Sequence, residues 1–204
     1  MTRALFLSCT LKSSPKPSNT EALADVLVKV MQADGVETEV VRLVDLNIKP
    51  GVESDEGEDD DWPAVRRKII EADILVMVTP TWLGQASSVC HRALERMDAM
   101  ISETGRDGLP VAYGKVAGIV ITGNEDGAHH IVATVGQALI DIGFTLPGWC
   151  WTYWHLGPGA GPDYLEASQG HKYADTVGRN AARNLMAVSG ALQAIKLPKP
   201  EAAQ

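Results

Sequence analysis

Three segments hold side chains suited to binding a ligand. The first, Ser8-Cys-Thr-Leu-Lys-Ser-Ser-Pro-Lys-Pro-Ser-Asn-Thr20, is rich in hydroxyls and runs into an amphipathic stretch. Free N–H groups at a helix start, together with the helix dipole, favour an anion, and Ser18, Asn19 and Thr20 can add side-chain donors. The same residue types are favoured N-caps, so capping stands beside anion binding. The second segment, Thr79-Pro-Thr-Trp-Leu-Gly-Gln-Ala-Ser-Ser88, sets Trp82 between Pro80 and Gly84. That arrangement offers a flat wall and a backbone able to approach a ligand closely; packing of a lid or a subunit contact is the other reading. In the third, Ile121-Thr-Gly-Asn-Glu-Asp-Gly-Ala-His-His130, the glycines serve a turn or let main-chain amides face a planar heterocycle. His129 and His130 read as surface or partner-contact residues without a catalytic role.

Two rival phosphate chemistries fail on spacing. The first segment has no glycine, so it is not a Walker loop. A phosphatase cradle on Cys9 would want a nearby arginine, and positions 10–18 offer only Lys12 and Lys16. Cys9 therefore reads as a buried strand-end thiol. Cys9, Cys90 and Cys150 are odd in number and far apart, which supports neither a disulfide framework nor a Cys-x-x-Cys metal site and fits a reducing cytoplasm. No nucleophile–base pair or carboxylate pair emerges, so no catalytic side chain is assigned.

The elements that must position these segments alternate short apolar runs with longer amphipathic ones, the pattern of an α/β parallel sheet. Apolar runs at Ala4–Cys9, Glu37–Leu43, Asp73–Thr79, Val116–Thr122 and Phe144–Trp154 read as five strands. The continuous Ile74–Val78 run suits a central strand covered on both faces. Helical spacing runs from about Thr20 to Asp34-Gly35, from Trp62-Pro63 to Ala72, from about Ser87 to Ile101, from Ala128 to Ile142, and through Ala174, Val177, Ala181, Leu185, Val188 and Leu192. In a doubly wound sheet, ligands sit beyond the C-terminal strand ends, where all three segments fall. Gly157-Pro-Gly-Ala-Gly161 imitates a dinucleotide fingerprint but lies outside a first βαβ unit and is discounted.

The chain has 204 residues, 45% of them hydrophobic, enough for one domain with a real core; residues 1–197 read as that domain and 198–204 as a loose tail. No run approaches a membrane span, and the N-terminal run reads as a strand rather than a signal segment. Net charge is −8, concentrated at Glu53–Asp61, with no basic stripe for a nucleic-acid backbone. That acidic block lacks EF-hand spacing and reads as a solvated, mobile loop.

Taken together, Ser18-Asn19-Thr20, Pro80-Thr81-Trp82-Leu83-Gly84 and Gly123-Asn124-Glu125-Asp126-Gly127, each at its strand end, resemble the flavodoxin-like NAD(P)H-dependent FMN reductase and quinone reductase family, over roughly Arg3 to Trp154. The resemblance implies a three-layer, doubly wound, five-stranded parallel sheet of order 2-1-3-4-5. It implies FMN held by Thr10, Lys12, Ser18, Asn19 and Thr20 at the phosphate, with Pro80, Thr81, Trp82, Leu83 and Gly84 on the isoalloxazine. Thr122, Gly123, Asn124 and Gly127 would lie near its pyrimidine edge. It further implies hydride from NAD(P)H, a small-molecule acceptor such as a quinone or flavin, a cytoplasmic setting and a homodimer or homotetramer. The cluster Trp149, Trp151, Tyr153 and Trp154 would serve a neighbouring subunit or pack peripherally. A flavodoxin-type electron carrier is the alternative. This chain departs from the family in having no arginine in its phosphate loop. It also lacks the cysteine cluster of iron–sulfur relatives, which excludes a thiolate-held cluster.

Overall fold

The structure, a computed structural model, describes residues 1–157, 159 and 161–200. Pro158 and Ala160 of the glycine-rich run, and 201–204 of the expected tail, lie outside the described residues. In chain order the elements are β1 (Arg3–Ser8), α1 (Asn19–Ala33), β2 (Glu37–Arg42), α2 (Trp62–Glu71), β3 (Ile74–Trp82), β4 (Gln85–Ala86), α3 (Ser88–Met97), β5 (Val116–Thr122), α4 (Ala128–Ile142), β6 (Trp151–Trp154) and α5 (His171–Gln193). The main sheet is parallel with order β2-β1-β3-β5-β6. With the short β4 arm left aside, this is the expected flavodoxin-like order.

Alternation along the strands divides the core into two layers. Leu5, Leu7, Leu75, Met77, Ile119 and Ile121 face α2, α3 and α4. Ala4, Phe6, Ile74, Val76, Val78 and Val120 face α1 and α5. Both faces of β3 are thus covered, which explains its unbroken apolar run. The helices start and stop where local chemistry requires. Ser18 caps α1 by accepting from the Glu21 N–H at 3.3 Å, and Gly35 takes φ 78° just past its end.

Three features depart from expectation. Pro80–Ala86 is not a simple loop: β3 runs on to Trp82 and folds back as β4, pairing Trp82 with Gln85. Leu83 (φ 50°) and Gly84 (φ 73°) form the connecting pair, the positive-φ geometry of a tight hairpin. The last strand is shorter than Phe144–Trp154, because Thr145 makes only an isolated bridge to Val116 and pairing resumes at Trp151.

The third departure is in the acidic segment, where Glu53, Asp55, Glu58, Asp59 and Asp61 are exposed as expected but Asp60 is packed into the body. Asp60 reaches Arg96 of α3 at 2.7 Å, with both side chains fully buried. The Arg96 guanidinium also donates to Lys49 O (2.9 Å) and Glu53 O (3.0 and 3.2 Å), and it lies 5.6 Å from the Trp62 ring centroid. Asn47 and Lys49 add further ties, through Asn47 N–H to Asp61 (2.8 Å), Asn47 Nδ2 to Asp59 O (2.6 Å) and Lys49 Nζ to Glu58 O, so part of a charge block read as solvated is folded onto the body.

Candidate active site

At the C-terminal ends of β1, β3 and β5 lies an open groove, whose free space, counted out into the solvent at its mouth, comes to about 560 Å³. One wall is Thr10, Leu11, Lys12, Ser18, Asn19 and Thr20; a second is Pro80, Thr81 and Trp82; a third is Thr122, Gly123 and Asn124. The three predicted segments therefore converge on one cavity. Leu83, Gly84 and Gly127 do not line it. Leu83 is the exposed hairpin tip. A Cβ on Gly127 would come within 2.6 Å of Gly84 Cα, so these two glycines seat one loop against the other.

Along the first wall, hydrogen-bond donors outnumber the acceptors that use them. Helix geometry leaves the N–H groups of Asn19 and Thr20 without intrahelical partners, whereas Glu21 N–H goes to the Ser18 hydroxyl and Ala22 N–H to Ser18 O. Ser18 accepts through its oxygen and keeps its hydroxyl proton to donate. Thr10 Oγ1 likewise accepts from Lys12 N at 3.2 Å. Thr20 Oγ1 and Thr122 Oγ1 lie 2.7 Å apart, leaving one proton of the pair free and tying the first wall to the third. These hydroxyls are buried. Such a set suits an anion and, with Lys12 alongside, a phosphomonoester.

The arginine absent from the first segment is supplied by β2. Arg42 donates to Lys16 O (2.9 Å) and Lys12 O (3.3 Å), and its Nε donates to Glu21 Oε1 at 2.8 Å. Glu21 also accepts from Ser8 Oγ at 2.5 Å. Asp45 fastens the other side of the loop by accepting from Ser14 N and Oγ, which hold its carboxyl below the usual range. Arg42 is spent on loop carbonyls, so it positions the donors. Arg42→Ala, which removes two hydrogen bonds to loop carbonyls and the two-pronged ion pair with Glu21, is expected to loosen the donor loop and weaken binding of a phosphomonoester ligand by about tenfold in a fluorescence titration.

The groove also includes residues that sequence reasoning missed. Leu11, Asp163 and Tyr164 line it, the last two from a strap that follows β6. Asn19, expected as a phosphate donor, commits its side chain to that strap: Nδ2 donates to Asp163 Oδ2 (2.9 Å), and Oδ1 accepts from Leu165 N (3.0 Å). What Asn19 still offers an anion is its main-chain N–H. Tyr164 donates its phenol proton to Asp175 at 2.9 Å, and burial together with Asp175 raises its pKa. No local pattern marks the strap, because its partner is 144 residues away.

The cysteines behave as packing residues. The Cys9 thiol is raised well above its ordinary pKa by a hydrogen bond with Cys90 and by burial, and burial pushes Cys150 up to about 11. The aromatic cluster divides. Trp151 and Tyr153 stack with centroids 5.6 Å apart, and His129 meets both edge-on. Trp154 is buried against His171 and Tyr164, while Trp149 is 68% exposed. Among the described residues, no cluster of ligating side chains suits a metal ion, and no helix is long and apolar enough to cross a membrane.

The flavodoxin-like sheet thus carries an anion cradle after β1, an aromatic hairpin after β3 and a glycine turn after β5. Residues 3–150 match the model of the NADPH-dependent FMN reductase family, and the chain belongs to that family. It is 41% identical over 174 residues to the 8-demethyl-8-aminoriboflavin-5'-phosphate synthase of Streptomyces davaonensis, covering 80% of this chain and 67% of that protein. It is also 38% identical over 207 residues to a protein of Mycobacterium bovis named divalent metal cation transporter MntH. That match covers 98% of this chain but only 30% of the relative, so the chain spans under a third of that protein's length. Among solved structures it resembles RosB with bound 8-demethyl-8-formylriboflavin-5'-phosphate, with a TM-score of 0.86 and 36% identity over 95% of this chain and 81% of that one.

Proposed function

We propose that this chain holds FMN in the groove by its phosphate and passes two electrons from NAD(P)H to a small acceptor such as a quinone or a flavin. The observation that carries this reading is the convergence of the Ser18, Thr10 and Thr20–Thr122 hydroxyls with the start of α1. That cradle lies beside a wall formed by Trp82 and by Gly123-Asn124. FMN, when bound, supplies the two-electron chemistry; the protein supplies binding, orientation and electrostatics. The α1 N–H groups and hydroxyls hold the phosphate. Trp82 would offer a flat surface to the ring; because the Gly123 N–H is already donated to Trp154 O at 3.0 Å, the main chain from Asn124 onward would be what meets the ring's polar edge. The ionisable side chains lining the groove are Lys12, Asp163 and Tyr164; Tyr164 is engaged with Asp175, so no protein acid or base is assigned to the transfer.

The purified protein is expected to show flavin absorption bands that bleach on anaerobic titration with NADPH or NADH, and to oxidise that nucleotide steadily with menadione. Bands that neither nucleotide bleaches would overturn the reductase reading, and negligible turnover would favour an electron carrier. Ser18→Ala with Thr20→Ala should raise the FMN dissociation constant about 10- to 100-fold, the loss of one or two charge-assisted hydrogen bonds, while riboflavin binding changes little.

The 41% identity to the riboflavin-phosphate synthase favours a second reading, in which the bound flavin phosphate is itself the substrate. Mass spectrometry of the flavin after turnover separates the two: an unchanged mass supports a prosthetic group, and an altered dimethylbenzene ring supports a substrate.

A further inference from the structure

Asp163 is the one acidic side chain among the residues lining the groove, and it stands beside a cradle built of donors. Its Oδ2 accepts from Asn19 Nδ2 at 2.9 Å. Among the described residues, no hydrogen-bond donor reaches Oδ1. The strap does not depend on this carboxylate alone. Gly161 N–H donates to Asn124 O at 2.9 Å, Leu165 N–H to Asn19 Oδ1, and the Tyr164 hydroxyl to Asp175. His171 Nε2 donates to Tyr164 O at 2.7 Å. Asp163 is thus held in place by its surroundings and retains an unused acceptor.

A carboxylate of this kind can only accept, and beside a phosphate it repels. A simple anion therefore gains nothing from it, whereas a ligand that carries hydroxyl groups next to its phosphate gains a charge-assisted hydrogen bond. Leaving such a group half-buried and unmatched costs binding free energy, which makes it a means of discrimination. Resting on the flavin-phosphate reading above, we propose that Asp163 is a specificity-determining residue: it accepts hydrogen bonds from the hydroxyls of the chain joining phosphate to ring, so that the site selects a polyol phosphate ester. The strap that carries it follows the 3–150 stretch that matches the family model.

The test compares two ligands on the full chain by fluorescence titration: FMN, and an FMN analogue whose phosphorylated side chain is a plain pentyl chain without hydroxyls. Asp163→Ala should weaken FMN by about tenfold or more, in line with a hydrogen bond to a charged group, and leave the analogue no weaker, or tighter, because the repulsion of its phosphate goes with the carboxylate. Asp163→Asn, whose amide oxygen can still accept from Asn19, should give a smaller loss on FMN and none on the analogue. Equal weakening of both ligands would reduce Asp163 to a strap fastener, and tighter FMN binding would make it merely repulsive; either result, or no change, overturns the proposal. A wild-type chain that binds neither ligand would instead sink the flavin-phosphate reading itself.

Discussion

Arg96→Ala is expected to lower unfolding free energy by about 3–5 kcal/mol, because it leaves the Asp60 carboxylate buried without its cation. That is a large share of a typical domain's stability and corresponds to a fall in Tm of about 10 °C for a chain of this size. Beyond Arg96, Asp60 accepts only from main-chain N–H groups: Glu56 (3.0 Å), Trp62 (3.2 Å) and Lys49 (3.3 Å). The same variant removes the donors to Lys49 O and Glu53 O and should release the acidic segment to a Glu-specific protease. Arg96→Met with Asp60→Leu should recover much of the loss, since apolar replacement of both partners removes the stranded charge.

The pair also has a pH signature. Burial pushes the Asp60 carboxyl up, but Arg96 and the three main-chain N–H groups outweigh it and hold the pKa well below the unfolded value of 3.8. A depressed carboxyl contributes stability that is fully present above the unfolded pKa and lost as pH falls toward the folded one. The urea midpoint of the wild type should therefore drop below about pH 4, with a component that Asp60→Asn lacks.

Gly127→Val carries the second large effect. A Cβ at this position would lie 2.6 Å from Gly84 Cα, 2.9 Å from its O and 3.0 Å from its C, and φ is +128°. The obstacle is backbone, so no side chain can turn aside. Strained backbone alone costs about 1–3 kcal/mol, and relief requires the hairpin and the glycine turn to separate. FMN affinity should fall at least tenfold, in line with about 1.4 kcal/mol per decade. Gly84→Ala is the control: φ is +73°, but nothing lies within 4 Å of the added Cβ, so stability should drop by about 1 kcal/mol with binding nearly retained. Wild-type affinity in Gly127→Val would show that the seating of these loops does not shape the groove.

Features set by local periodicity were legible in the sequence. Ala128–Ile142 folds as the helix its spacing marks, and the fully apolar Ile74–Val78 run lies at the centre of the sheet. The groove's three main walls were legible because residue type and strand-end position coincide there. Features that depend on one distant partner were not. The hairpin escaped notice because Leu83, a γ-branched residue, occupies a positive-φ position usually filled by Asn or Gly. Charge density marked the acidic segment as solvated, yet Arg96, 36 positions beyond Asp60, buries part of it. Arg42 reaches the anion loop from β2, and Asp163 comes from a strap whose tie to Asn19 has no sequence periodicity.

The most direct measurement is a pair of calorimetric titrations of the flavin-free protein, one with FMN and one with riboflavin. Anchoring through the phosphate predicts FMN binding at least about 100-fold tighter, since several charge-assisted hydrogen bonds would be lost with the phosphate, and it predicts that Ser18→Ala with Thr20→Ala erases most of that advantage. Equal affinity for the two flavins, or no heat from either, would contradict it.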